Sequence, residues 1–123
     1  MKPPVGQDIA LYRQTLNRRH LAEQRALTQR LGNAWALAKQ AASLLKAEFG
    51  AQQVAVFGSL VHGQWFSQTS DVDLAVWGLN PERYLIAVAR LQDLSSDFKV
   101  DLVLADRCSP SLAQAIFQEG KIL

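Results

Sequence analysis

The chain has 123 residues, of which 49% are apolar and 20% charged, and a formal net charge of +2. That length supports one small domain with a single core, and so small a charge does not imply nucleic-acid binding by itself. Cys108 is the lone cysteine, which excludes an internal disulfide and fits a reducing compartment.

No apolar run is long enough to span a membrane. Met1-Lys2-Pro3-Pro4 lacks the apolar stretch of a signal peptide. The expectation is a soluble, cytoplasmic protein. Charge is unevenly spread. Up to Gly50, eight basic residues face three acidic ones, a net +5, and the remainder carries five basic and eight acidic residues, a net −3. A basic front piece is joined to a mildly acidic module.

Residues 8–49 read as helix. Ile9, Tyr12 and Leu16 keep helical spacing, as do Leu27, Leu31, Trp35, Ala38, Ala42, Leu45 and Phe49. Gly32-Asn33 predicts a break or bend, and Gly50 suits the position just past a helix end. The Ala- and Leu-rich second half should pack on the core, and the more polar first half should project. The arginines at 13, 18, 19, 25 and 30 read as a solvated face, with contact to nucleic acid or a partner as the second reading.

A short apolar strand follows over residues 53–57. Ser59 is placed to cap a helix over residues 60–64, and residues 64–70 form a polar loop. Residues 72–77 are the second strand. Asn80-Pro81 pairs a cap residue with a proline at the first helical position, opening a helix to about residue 94. Residues 99–105 are the third strand. Ser109-Pro110 repeats the cap signal and opens a helix to Glu119, closed by Gly120. The order is helix, then β-α-β-α-β-α.

Alternate residues of a strand share a face. Val72, Leu74 and Val76 therefore fall on one side, and Asp71 and Asp73 on the other. In the third strand Val100, Leu102 and Leu104 oppose Lys99, Asp101 and Val103. The predicted fold is α+β: a small mixed β-sheet with helices on one face, a polar cleft on the other, and a long N-terminal helix in front.

Two like charges side by side are costly unless something positive lies between them. If the second and third strands are neighbours, Asp101 joins Asp71 and Asp73. Three carboxylates suit hard cations such as Mg²⁺, which carry phosphates with them. Gly58-Ser59 fits the same task, because glycine admits a backbone close to a phosphate and serine donates to it.

Gly58, Ser59, Gly63, Ser70, Asp71, Asp73 and Leu74, with Asp101 in Val100-Asp101-Leu102, resemble the signature of the DNA polymerase β-like nucleotidyltransferase superfamily, in its minimal branch. The close of the chain, Ile116-Phe117-Gln118-Glu119-Gly120, is similar as well. The resemblance covers residues 52–123 and leaves out the N-terminal helix, giving a helical extension (1–50) and a minimal nucleotidyltransferase domain (51–123). It implies that Asp71, Asp73 and Asp101 hold two Mg²⁺ ions, and that Gly58, Ser59 and Ser70 bind a nucleoside triphosphate. It also implies that AMP moves from ATP to a hydroxyl. The chain is too short to hold an acceptor-binding domain. Minimal members commonly act as antitoxins of helical HEPN-type toxins, so such a partner is implied. The N-terminal helix offers a route to a homo-oligomer. Two departures stand out: eleven residues separate Ser59 from Asp71, one more than is usual, and Leu60 replaces a basic residue. A non-catalytic nucleotide-binding or docking module that neutralises a partner by binding is the alternative.

The remaining candidates have ordinary readings. His62 reads as an exposed loop residue, His20 as part of a solvated helix face, and Lys99 as a counter-ion for Asp101. Trp35 and Trp77 read as core or interface. Trp65 and Phe66 either stack on a base or cover the edge of the core.

Overall fold

The computed structural model describes residues 6–63 and 66–123, with side chains from residue 9 onward. Helix α1 runs over Gly6–Phe49, and strand β1 over Gln53–Phe57. Helix α2 is Ser59–His62, and β2 is Val72–Trp77. A 3-10 turn over Pro81–Arg83 leads into α3 (Tyr84–Gln92). Strand β3 is Val100–Leu104, α4 is Pro110–Glu119, and β4 is Lys121–Ile122.

The four strands form one mixed sheet in the order β3-β2-β1-β4. Strand β1 is antiparallel to both β2 and β4, and β2 is parallel to β3. The parallel pair needs a crossover, and α3 supplies it. Alternation decides which side is buried. Val72, Leu74 and Val76 are fully buried beside Val54 and Val56, and Val100 and Leu102 extend the same layer. Ala34, Leu37, Ala38, Ala41, Ala42 and Leu45 of α1 lie on it, joined by Ala87 and Leu91 of α3. The small residues along α1 let its backbone approach the sheet closely. On the other face the cross-strand pair Ala55 and Ala75 is also buried, as is Ile116 of α4, which packs against β1.

Strands β1 and β2 have the bounds the sequence predicts. Asn80 Oδ1 accepts from Glu82 N at 3.0 Å, and Ser109 Oγ from Leu112 N at 3.3 Å, so both predicted caps form. Other details differ, beginning with β3, which is one residue shorter at each end than the predicted 99–105, and α3, which follows a 3-10 turn and ends at Gln92. Helix α1 is unbroken through Gly32-Asn33, because a helical glycine costs only about 1 kcal/mol and α1 is held to the body of the protein on both sides of it. Ser59 does not cap α2. Gly58 takes that place, and no side-chain cap bond forms. The helix ends at His62, and Gln64, the predicted last residue, lies outside the described residues. The two-residue strand β4 was not expected. It pairs with Ala55 and Val56, and Leu123 N donates to Val54 O at 2.9 Å.

Helix α1 also reaches beyond the sheet. Ile9, Leu11, Tyr12, Leu16 and Leu21 are exposed, as expected for a projecting first half. Nearer the domain, Lys46 Nζ donates to Leu123 O at 2.6 Å. No helix among the described residues is long and apolar enough to cross a membrane.

Candidate active site

Because β1 and β2 are antiparallel, the end of one strand lies beside the start of the other. The register pairs Phe57 with Asp73, so the Gly58-Ser59 turn emerges next to the carboxylates. Gly58 has φ 76° and ψ −150°, a conformation that side chains avoid. A Cβ added there would lie 2.5 Å from Asp73 Oδ2. Glycine is needed twice over, for its backbone and for the room it leaves the aspartate.

Strands β2 and β3 supply the acids. Their parallel register sets Asp73 directly beside Asp101, and Val72 N donates to Lys99 O at 3.0 Å where the pairing begins. Asp71, Asp73 and Asp101 are all half-buried. Lys99 Nζ lies 3.6 Å from Asp101 Oδ1, in the predicted counter-ion role.

Burial pushes the Asp73 carboxyl up to about 6, the charges of Asp101 and Asp71 add to the rise, and Lys99 works against it. A hydrogen bond between the Asp73 and Asp101 carboxyl groups also favours the protonated form. This is the signature of crowded acids short of positive charge. Among the described residues, no three His, Cys, Asp or Glu side chains are gathered as a finished metal-ligand set. The donor chemistry nevertheless fits a hard cation: carboxylate oxygens only, on adjacent rigid strands, with an unmet need for positive charge. A cavity of about 620 Å³ lies along α1, lined by Leu21, Gln24, Arg25, Thr28, Gln29, Gly32 and Asn33. It contains none of the aspartates, and their electrostatics, not cavity size, mark the site.

The other predicted residues fall into place as follows. The Ser70 hydroxyl closes a turn, accepting from Ser67 N at 2.8 Å. Phe66 is buried in the core and tilted against Phe98, with ring centroids 6.4 Å apart, so it covers the core's edge. Trp65 lies outside the described residues, as does Met1-Lys2-Pro3-Pro4, the stretch read for a leader. Trp35 packs on the core, with Lys121 Nζ 5.6 Å from its ring centroid. His20 is exposed beside Gln24. His62 differs from its loop reading. It is in the last turn of α2, half-buried, with Nε2 3.1 Å from Glu119 Oε2.

The arginine cluster divides. Arg13, Arg18, Arg19 and Arg25 are exposed. Arg30 is half-buried, and its guanidinium lies 4.1 Å from the Phe98 ring centroid. It donates to backbone carbonyls of Ser67, Ser70 and Asp97. Sequence reasoning missed this residue, although one signal was present. Arg30, Ala34, Leu37 and Ala41 keep helical spacing, which puts a charge on the buried stripe.

Residues 39–123 match the family model described as Polymerase beta, Nucleotidyltransferase. The match begins inside α1, ahead of the Gly58-Ser59 turn. Among solved structures, one similar chain belongs to a toxin–antitoxin crystallised with AMP-PNP. It is 28% identical with a TM-score of 0.57, and the alignment covers 65% of this chain and 66% of that one. A chain from a mutant of the toxin–antitoxin MntA-HpeT is 30% identical with a TM-score of 0.53, covering 65% and 64%. A second mutant of that pair, 24% identical with a TM-score of 0.58 and covering 69% and 70%, shares the fold. The chain thus spans about two thirds of the length of these relatives. No curated protein matches it.

Proposed function

Since the chain belongs to the polymerase beta nucleotidyltransferase family, we propose that it transfers a nucleoside monophosphate, AMP from ATP, to a hydroxyl on a partner protein. The observation that carries this reading is the register of the sheet, which sets Asp73 between Asp101 on one side and the strand end leading into the Gly58 turn on the other. The partner is proposed to be the toxin of a toxin–antitoxin pair, of the helical HEPN type. The toxin–antitoxin relatives support that setting, and the relative crystallised with AMP-PNP supports an adenine nucleotide.

In this reading Asp71, Asp73 and Asp101 hold Mg²⁺, two ions by family resemblance. The cation would neutralise the triphosphate and the charge that builds on the attacking and leaving oxygens. The remaining work falls to the protein. Gly58 lets the backbone approach the phosphates, and Ser59 donates to them. Ser70 shapes the turn that delivers Asp71 to the nucleotide. The acceptor oxygen bonds to the α-phosphorus, the bond to the β-phosphate bridging oxygen breaks, and pyrophosphate leaves. The acceptor's proton passes to a carboxylate of the trio.

The domain division into residues 1–50 and 51–123 is part of the same proposal, with the exposed half of α1 free to meet the partner or a second copy. So is a cytoplasmic setting, which the lone free Cys108 supports.

The test is to incubate the protein with ATP, Mg²⁺ and the proteins that co-purify with it, and to measure intact masses. An added AMP on a partner, lost in Asp71→Asn/Asp73→Asn, is the expected result. No mass change on any partner, with the double variant equal to wild type, overturns catalysis. A second reading, docking without turnover, is favoured by one observation: Leu60, where a basic residue is usual, is buried in the core. Calorimetry with ATP and Mg²⁺ separates the two, since the docking reading expects no heat of binding.

A further inference from the structure

We infer that Arg30, which lies outside the family-matched segment, is a positioning residue that holds the two chain segments leading into β2 and β3 together and so aligns the three aspartates. This rests on the nucleotidyltransferase reading of those aspartates. The geometry is that of a clamp. Nε donates to Ser67 O at 3.3 Å, and Nη2 to Ser70 O at 3.4 Å, the residue just before Asp71. Nη1 donates to Asp97 O at 3.2 Å, shortly before Asp101. One planar group thus bonds both segments, from a helix that belongs to neither.

Its plane is also used. The guanidinium lies 4.1 Å from the centroid of Phe98 and 5.9 Å from that of Phe66, one aromatic ring from each segment. Both rings are buried. A guanidinium presents its donors in a fixed fork and stacks on aromatic faces, and an ammonium does neither. Lysine at this position would keep the charge and lose the clamp. The strands first pair just beyond it, through Val72 N and Lys99 O. A slip between the two segments would therefore carry Asp73 away from Asp101. Arg30 touches none of the three carboxylates in this arrangement. Its influence passes through the backbone.

The test compares full-length wild type with Arg30→Lys and Arg30→Gln by amide hydrogen exchange and by Mn²⁺ titration read by electron paramagnetic resonance. Losing charge-assisted bonds predicts exchange about tenfold faster over residues 66–72 and 97–101, with protection in β1 unchanged. Mn²⁺ affinity should fall about tenfold in both variants, and in the transfer reaction kcat should fall more than KM for ATP rises. Wild-type exchange in both segments, or unaltered Mn²⁺ affinity, overturns the inference. If Arg30 variants also lose protection in β1, Phe98→Leu, which removes the stacking face and leaves the three guanidinium hydrogen bonds in place, decides by the same two readings. If wild type binds neither Mn²⁺ nor ATP, the proposed function falls, and the exchange measurement alone still decides for or against the clamp.

Discussion

Oδ2 of Asp73 occupies the space that a side chain at position 58 would need: a Cβ on Gly58 would come within 2.5 Å of it. The Gly58-Ser59 turn and the central acid are therefore fitted to each other, and a side chain cannot be added at position 58 without displacing the Asp73 carboxyl.

Gly58→Ala meets that contact and a φ of 76° at once. Strain of this kind costs about 1–3 kcal/mol. We expect a matching fall in stability by chemical denaturation and loss of nucleotide binding by calorimetry. A variant as stable as wild type would show that the turn relaxes freely.

Asp73 predicts an unusual pH response. Its carboxyl, pushed up to about 6 by burial and then by Asp101 and Asp71, binds a proton more tightly folded than unfolded. Stability from this group is present at low pH and is lost as pH rises from the ordinary carboxylate value of about 3.9 through about 6. Asp73→Asn should therefore unfold at a higher temperature than wild type at pH 7.5, with the difference shrinking toward pH 4. Mg²⁺ should raise the wild-type melting temperature and close the gap, and its affinity should weaken below about pH 6. A constant difference across that range would remove the argument.

Gly32 sits inside α1 with nothing within 4 Å of where its Cβ would be. Gly32→Ala should stabilise by about 0.5–1 kcal/mol, measured by urea unfolding. By contrast Leu45→Ala, at a fully buried position on the same helix, should cost about 2–5 kcal/mol.

The exposed start of α1 should contribute little to the fold. Removing residues 1–21 deletes the exposed Ile9, Leu11, Tyr12, Leu16 and Leu21, and the change in unfolding free energy should stay within about 0.5 kcal/mol. Extending the deletion through Arg30 should destabilise the domain well beyond that.

The strands were legible because alternation leaves one answer: buried valines and leucines on one side of β2, aspartates on the other. The caps at Asn80 and Ser109 were legible because a side-chain oxygen and a following proline act locally. Strand β4 was hidden, since two residues cannot display a period, and its partner Ala55-Val56 is more than sixty residues away. Gly32 misled because local propensity said break, while packing on both sides of it kept the helix whole. Arg30 was hidden for a different reason. Its partners are carbonyl oxygens 37, 40 and 67 residues distant, and a backbone carbonyl has no letter in the sequence.

Helix α1 has 44 residues, which at 1.5 Å each is about 66 Å of rod, against strands five or six residues long. Its alanine stripe rests on the sheet, and Arg30 fastens it to the roots of β2 and β3. Mechanically it is a lever with its fulcrum at those roots. A load gripping the free arm would act on the spacing of those roots through a rigid shaft, with no loop in between to absorb the motion.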